Sequence, residues 1–457
     1  MNIIVVGCGK IGKKILASLS EEKHNLTAMD NDRSVIEAVV GTYDIMGTVG
    51  NATDYVKLSE AGASDADLFI AVTSSDEINM LSCFLAKKMG AKHTVARIRN
   101  AENNNGESLD FMKNQIDLSM SINPEFMTAT AIYNVLKLPS ATNVETFSRH
   151  SLEMVGLILR EDSAFDGKTL IEIRKQIKEN FLVCAVSRDD KFYIPQGNFR
   201  LKSGDRIGVI CSGKDTQKVL KGLGGLNKPI KNAIIMGGGR TSFYLAKLLL
   251  ESRISVKIIE QSEKRCEDFL EGLPEVSVIH GNGMDQELLL EEGIKDCDAF
   301  VALTGKDEEN ILISFYAISQ KVPKIVSKVN GEELLELSEK LGLDSMVSPK
   351  KIVADSIVQY ARALENSEGS TVETLYKIMN GEGEALEFTV LSDFQYADVP
   401  LKEIKFREDT LLAGIVRGGN AIIPGGDEVI KVGDKVIVVA SGEKVYDLAD
   451  IIEERGR

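Results

Sequence analysis

The sequence is poor in several features that mark common classes of protein. No apolar run approaches the length of a membrane span, so no direct insertion into lipid is expected. Basic residues are outnumbered, 54 Lys and Arg against 69 Asp and Glu, for a net charge of −15. That balance argues against a general binder of nucleic acid or anionic lipid, because such proteins present basic surface. The six cysteines (Cys8, Cys83, Cys184, Cys211, Cys266 and Cys297) are scattered, with no C-x-x-C and no histidine at metal-ligand spacing. The expectation is reduced thiols, a cytoplasmic chain and no metal site. Only four histidines are present. The first residues run straight into a strand pattern rather than a signal peptide.

What is present reads as an ordinary globular protein. The 457 residues are 43% hydrophobic and 27% charged, enough for a large core and about three domains by length alone. The most informative stretch is Met1 to Asp30. Ile3, Ile4, Val5 and Val6 form a short apolar run of the kind a strand makes when buried on both faces. It leads into Gly7-Cys8-Gly9-Lys10-Ile11-Gly12, a G-x-G-x-x-G, and then into a helical pattern carrying Ile11, Ile15, Leu16 and Leu19 on one side. A second strand, Asn25 to Met29, ends in Asp30.

Each part of that pattern has a physical task. Gly7 permits a tight turn, Gly9 lets backbone approach a pyrophosphate, and Gly12 lets helix and strand pack closely. The free N–H groups and positive dipole end of the helix then receive phosphate. Asp30 can accept hydrogen bonds from both hydroxyls of an adenosine ribose, and its charge repels a 2′-phosphate. The expected ligand is NAD or an adenine nucleotide rather than NADP.

The chain is also a tandem repeat, and this sets its organisation. Gly237, Gly238 and Gly239 restate Gly7, Cys8 and Gly9, and Glu260 restates Asp30, at an offset of 230 (237 − 7). Gly281-Asn282-Gly283-Met284-Asp285 answers Gly50-Asn51-Ala52-Thr53-Asp54 at 231 (281 − 50). At that same offset Ala302-Leu303-Thr304 answers Ala71-Val72-Thr73, and Val326-Ser327-Lys328-Val329 answers Val95-Ala96-Arg97-Ile98. Each copy alternates strands and helices. In the first, strands are expected near 2–7, 25–30, 44–47, 67–72 and 93–98, with helices near 10–21, 32–41, 53–62, 76–89 and 107–115. This alternation implies a parallel sheet covered by helices on both faces.

Pro124 to Leu138 and Pro349 to Leu364 read as further helices that open on proline and cross between domains or subunits. After each comes a smaller repeated unit. Strand patterns stand at Ser151–Leu159, Leu182–Ser187 and Arg206–Cys211, and again at Ala385–Val390, Leu411–Arg417 and Lys435–Ala440. Gly204-Asp205 and Gly433-Asp434, before the last strand of each, read as turn signals. The glycine-rich stretch from Lys221 to Asn232 divides the two halves.

These residues carry a family resemblance. The order of a nucleotide-binding unit and a small β-rich unit, twice over, resembles the TrkA family of Trk potassium-uptake regulatory subunits, which are tandem-RCK proteins. The specific segments are G-C-G-K-I-G, the acid that ends the second strand, G-N-A-T-D, V-T-S-S-D-E-I-N and A-R-I-R-N. The fold it implies is α/β, with two Rossmann-like parallel-sheet domains, each followed by a small α+β RCK-C domain. The expected domains are residues 1–122, 142–226, 230–348 and 368–453.

The resemblance implies a cytosolic, homo-oligomeric ring beneath a TrkH- or TrkG-like membrane potassium-translocating subunit. It would sit on the inner face of the membrane only through that transporter, and gate it according to bound NAD(H), ATP or ADP. For the first half it implies that Gly7, Cys8, Gly9, Lys10 and Ile11 wrap phosphates, with Gly12 closing the turn, and that Asp30 holds the ribose. Asn51 and Ala52 would border adenine, Thr73 and Ser74 would lie beyond the phosphates, and Arg97 would pair with phosphate. Thr73 and Asn79 read equally well as caps of the following helix, and Arg97 as a member of a surface ion pair.

The corresponding set in the second half is Gly237, Gly239, Arg240, Thr241, Ser242, Glu260, Asn282, Thr304 and Lys328. It departs from the first in telling ways. Ser242 replaces the third glycine and should hold helix and strand farther apart. Arg240 enters the loop, Glu260 is one methylene longer than Asp30, and Lys328 stands for Arg97. Such a cleft suits the charged phosphate tail of ADP or ATP better than a nicotinamide, and both an occupied and an empty second cleft are compatible with it.

An NAD-dependent oxidoreductase is the alternative. It requires a proton-transfer group at the nicotinamide end. His24 and His93 stand at strand starts, away from the carboxyl ends where such sheets bind ligands. His150 falls in a linker, and His280 has Val49 as its counterpart. Cofactor machinery is present twice and a catalytic constellation is not, so no enzyme activity is expected.

Overall fold

The structure is a computed structural model. It describes residues 1–22, 24–99, 114–148, 151–160, 163–189, 191–224, 228–366, 372–379, 383–442, 445 and 447–453. The chain divides into two compact units, Met1–Thr130 with Ser348–Ala361, and Ala131–Val347 with Arg362–Arg457. Among the described residues no helix is long and apolar enough to cross a membrane.

In the first unit β1 (Asn2–Val6) is the central strand, its last four residues buried. It pairs in parallel with β2 (Asn25–Asp30) on one side and β4 (Leu68–Ala71) on the other. With β3 (Met46–Val49), β5 (His93–Arg97) and β6 (Met120–Ile122) the order is β3-β2-β1-β4-β5-β6, all parallel. The chain reverses direction of travel between β1 and β4, and a crevice opens there at the carboxyl ends of the strands, the usual ligand position in such sheets. Phe69, Leu58, Met29, Cys83 and Ala86 fill the core on one side of this sheet.

The third strand starts two residues later than its apolar pattern suggests. Asp44 ends the preceding helix in a left-handed conformation, φ 52°, so the chain turns before it can extend. The expected helix at 107–115 falls mostly outside the described residues. The helix Pro124–Lys137 begins in this unit and ends in the next.

The second unit holds a second six-stranded parallel sheet. Its strands are β12 (Asn232–Met236), β13 (Ser255–Glu260), β14 (Ser277–His280), β15 (Ala299–Ala302), β16 (Lys324–Lys328) and β17 (Met346–Val347), in the equivalent order β14-β13-β12-β15-β16-β17. Two five-stranded antiparallel sheets complete it. One contains β7 (Asn143–Phe147), β8 (Leu152–Ile158), β9 (Phe181–Arg188), β10 (Lys191–Tyr193) and β11 (Arg206–Ser212), and the other β18 (Val372–Ile378), β19 (Gly383–Thr389), β20 (Thr410–Arg417), β21 (Asn420–Ile422) and β22 (Lys435–Ser441). Both have the same order, β7-β8-β11-β9-β10 and β18-β19-β22-β20-β21. Each sheet packs its own core on one face. On the other they share one, with Phe147, Leu152, Met154 and Ile210 against Ile378, Ile437 and Val439.

That shared core is closely fitted. A Cβ at Gly414 would meet Leu152 at 2.6 Å, and one at Gly383 would meet Phe192 at 2.4 Å. Polar groups at its margin are paired across the two sheets. Glu387, buried, accepts the Ser148 N–H at 3.0 Å and its hydroxyl at 2.8 Å, and the Tyr376 hydroxyl donates to Thr146 O at 2.8 Å. The two Gly-Asp turns do more than turn. Asp205 and Asp434 are fully buried carboxylates, each gripped by two guanidinium nitrogens of Arg188 or Arg417 at 2.6–2.9 Å.

Candidate functional site

The glycine loop joins β1 to the helix Lys10–Ser20. Gly7 has φ +87°, and a Cβ on it would stand 2.7 Å from the Thr73 amide nitrogen. A Cβ on Gly12 would stand 1.9 Å from the Gly7 carbonyl oxygen. Those two glycines are required by the protein's own packing. Gly9 is different: nothing lies within 4 Å of where its Cβ would be, and it is the N-cap of the helix without a side-chain capping bond. The helices that follow β2, β3 and β4 are capped by Asp32, Asp54 and Ser75. The glycine-loop helix therefore has orphan N–H groups facing open space, the cradle an anionic phosphate fills. Lys10 and Ile11 are its first two residues.

Asp30 lies at the end of β2, half-buried. One carboxylate oxygen accepts the Cys8 N–H at 2.7 Å and the other the Asp32 N–H at 3.0 Å. The acid thus holds the loop in place from below, with further lone pairs available to ribose hydroxyls. Cys8 is buried, its thiol directed at Met29 O at 3.7 Å, and burial pushes its pKa up to about 12. It packs the loop as a thiol.

Across the crevice, Thr73 is tied by Asn79. Asn79 Oδ1 accepts both the Thr73 N–H (2.8 Å) and its hydroxyl (2.7 Å), and Nδ2 donates to Arg97 O at 3.0 Å. The cap of that helix is Ser75; Asn79 instead, fully buried, laces the ends of β4 and β5 together. Thr304 and Asn310 repeat the arrangement, with Asn310 donating to Lys328 O at 2.9 Å. Asn51 is exposed and bonds Thr53, whereas Ala52 is buried under the loop.

Arg97 closes the far side. It is paired with Glu125, Nη2 to Oε1 at 3.6 Å, with both side chains largely covered, so it is no surface pair. Burial lowers its pKa, and Glu125 opposes that shift. Arg99 stands outside the expected set of site residues. Its N–H and Nε bond Asp76 at 2.7 and 3.2 Å, and its guanidinium donates to Ser74 O. The doubled arginine of A-R-I-R-N was the available signal.

The second cleft is built alike but not identically. Glu260 accepts the Gly238 N–H at 2.5 Å and the Ser262 N–H at 2.8 Å, as Asp30 does in the first. Arg265 approaches it at 3.7 Å. Ser242 carries a Cβ where Gly12 has no room for one, and its hydroxyl bonds Gly237 O at 2.5 Å. Gly239 caps its helix without a side-chain bond, as Gly9 does. Arg240 is the first helical residue and exposed, followed by buried Thr241. Asn282 bonds Gln261 and the Met284 N–H, and Lys328 donates to Leu303 O at 3.3 Å.

Of the histidines, His280 Nε2 lies 3.0 Å from Gln261 O at the end of β14, and His93 opens β5, its ring edge-on to Tyr360. His150 lies outside the described residues. Among the described residues no group of three or more His, Cys, Asp or Glu is placed to hold a metal.

Two Rossmann-type clefts alternating with two small antiparallel domains define the tandem TrkA-N/TrkA-C class. A family model described as the TrkA-N domain matches residues 3–114 and 233–349, and one described as the TrkA-C domain matches 154–224 and 385–453. The Trk system potassium uptake protein TrkA homolog of Archaeoglobus fulgidus is 31% identical over 452 residues, covering 99% of this chain and 100% of its own. The Haemophilus influenzae Trk system potassium uptake protein TrkA is 28% identical over 428 residues, 93% of this chain and 92% of its own. The chain belongs to the TrkA family of Trk-system potassium uptake proteins. Its fold matches the GsuK channel (TM-score 0.64, 17% identity, covering 97% of this chain and 77% of that one) and the GsuK channel bound to NAD (TM-score 0.62, 17% identity, 96% and 76%).

Proposed function

We propose that the protein is the nucleotide-sensing regulatory subunit of a Trk-type potassium uptake system. In this reading it gates a TrkH- or TrkG-like membrane subunit from the cytoplasmic side, as a homo-oligomeric ring, and catalyses no reaction of its own. The observation that carries it is the first cleft: an uncapped helix N-terminus behind Gly9, with the Asp30 carboxylate beside it. Phosphates would take the N–H groups of Gly9, Lys10 and Ile11, and Asp30 the ribose hydroxyls. NAD(H) suits the first cleft, and ADP or ATP the second, where Arg240 adds a cation at the loop. The family membership and the NAD- and ADP-bound GsuK channels support this assignment.

A nucleotide can shift such a protein only by as much as its affinities for two arrangements differ. Asp30→Ala should lower NAD or ADP affinity by about tenfold or more, since a charged acceptor of hydroxyls is lost. The variant also leaves the Cys8 and Asp32 N–H groups without their carboxylate acceptor, so melting should be measured alongside calorimetric titration. Unchanged affinity would refute the reading. Co-purification with a membrane potassium transporter, and no turnover of NADH with mixed metabolites, would separate it from an oxidoreductase.

A further inference from the structure

Arg97 is the last residue of β5 and Glu125 sits in the first turn of the helix Pro124–Lys137. Their side chains are 15% and 21% exposed, and at 3.6 Å they attract without forming a good hydrogen bond. Nε of Arg97 and Oε2 of Glu125 are both shielded from solvent and have no hydrogen-bond partner among the described residues. Buried atoms of charged groups left unbonded are costly. The pair is therefore held but unsatisfied, at the edge of the sheet where ligands of this fold bind.

We propose that Glu125 competes with a nucleotide phosphate for Arg97, so that binding releases the first turn of the Pro124–Lys137 helix from β5. This rests on the nucleotide reading of the first cleft. A pyrophosphate carries more charge than one carboxylate, and each of its phosphates matches the guanidinium fork with two oxygens. The helix itself survives the exchange, because Asn123 caps it independently, accepting the Phe126 N–H at 2.9 Å. What changes is the tether. The helix begins in the first unit and ends in the second, so its tether lies on the covalent path by which the first cleft joins the rest of the chain. Lys328 stands in Arg97's place in the second half and lacks the planar fork, so the device belongs to the first half.

Reciprocity supplies the test. If phosphate loosens Glu125, removing Glu125 must strengthen phosphate binding. On the full chain, NAD should speed amide exchange over residues 127–131 of the wild type. E125Q should show that faster exchange without ligand, no further change on adding NAD, and NAD affinity raised about fivefold or more. Arg97→Gln should lower NAD affinity. If NAD binds the wild type but exchange over 127–131 is unmoved, or E125Q binds NAD no better, the competition is disproved and the nucleotide reading stands. If neither ADP nor NAD binds the wild type at all, both fall together. The wild-type exchange measurement needs no variant to fold.

Discussion

Glu260 occupies the space that a side chain at residue 238 would need. A Cβ on Gly238 would lie 2.9 Å from Glu260 Cγ and 3.1 Å from Oε2. In the first half the loop residue is Cys8 and the acid is the shorter Asp30, and the same loop N–H is bound at 2.7 Å. The two differences between the halves compensate: the longer acid is accommodated by the smaller loop residue.

The pair should therefore behave as a coupled unit. Asp30→Glu alone should overpack the first loop and cost about 1–3 kcal/mol. Adding Cys8→Gly should recover a large part of that cost. A double-mutant cycle by denaturant unfolding should give a coupling of about 1 kcal/mol or more; strict additivity would show that the two positions are independent.

Two glycines of one loop should respond oppositely to alanine. Gly12→Ala drives a Cβ onto the Gly7 carbonyl oxygen, 1.9 Å away, and should destabilise by several kcal/mol. Gly9→Ala meets nothing within 4 Å, so melting should change little while affinity for NAD or ADP falls by about tenfold or more as the methyl group enters the phosphate cradle. Thermal melts with and without nucleotide distinguish the two.

Asn79→Ala should cost about 2–4 kcal/mol, since it strips acceptors from the Thr73 N–H and hydroxyl and a donor from Arg97 O in a buried setting. Asn310→Ala should cost a similar amount in the second half. Urea unfolding reads both, and Asn79→Ala should also weaken nucleotide binding because Thr73 and Arg97 lose their common anchor.

Lys324 gives a pH dependence with a definite sign. It is buried at the start of β16, donates to Ala141 O at 2.5 Å and Ser345 Oγ at 2.8 Å, and burial lowers its pKa from 10.5 to about 8. Asp344 opposes that shift and Arg160 adds to it. With the folded value depressed, the unfolded chain binds more protons between pH 8 and 10.5, so this group's contribution to stability rises across that window. It is at its least favourable below pH 8. Relative to Lys324→Met, the wild type should gain stability from pH 8 to 10.5, about 1.4 kcal/mol for each unit of separation. Parallel denaturation curves at pH 7, 9 and 10.5 check it.

Much of this was legible in the chain because it depends on local pattern. The buried run Ile3–Val6, the glycine spacing and the acid at Asp30 are all within one βαβ unit, and the repeat offset fixed the second copy. The strands with no counterpart in the sequence pattern, β6, β7, β10, β17, β18 and β21, all stand at sheet edges. β6, β10, β17 and β21 are only two or three residues long and β7 is mostly half-exposed, so they carry no long apolar run, and their pairing depends on neighbours elsewhere in the chain. The contacts that make the site work were hidden for the same reason. Nothing in spacing tells that Asp30 binds the Cys8 N–H, that Asn79 reaches Arg97 O, or that Glu125 meets Arg97. The bulk of Ser242 is legible in the sequence; the bond its hydroxyl makes to the Gly237 carbonyl is not.

The face shared by the two antiparallel sheets has an evolutionary corollary. Since Phe147, Leu152 and Ile210 complete the same apolar layer as Ile378, Ile437 and Val439, neither half can leave without exposing the other's greasy side to water. The two clefts are thereby inherited as a fixed couple, one of each per polypeptide. Selection can then relax on one of them while the other is kept, and Ser242 against Gly12 and Lys328 against Arg97 are differences of that kind.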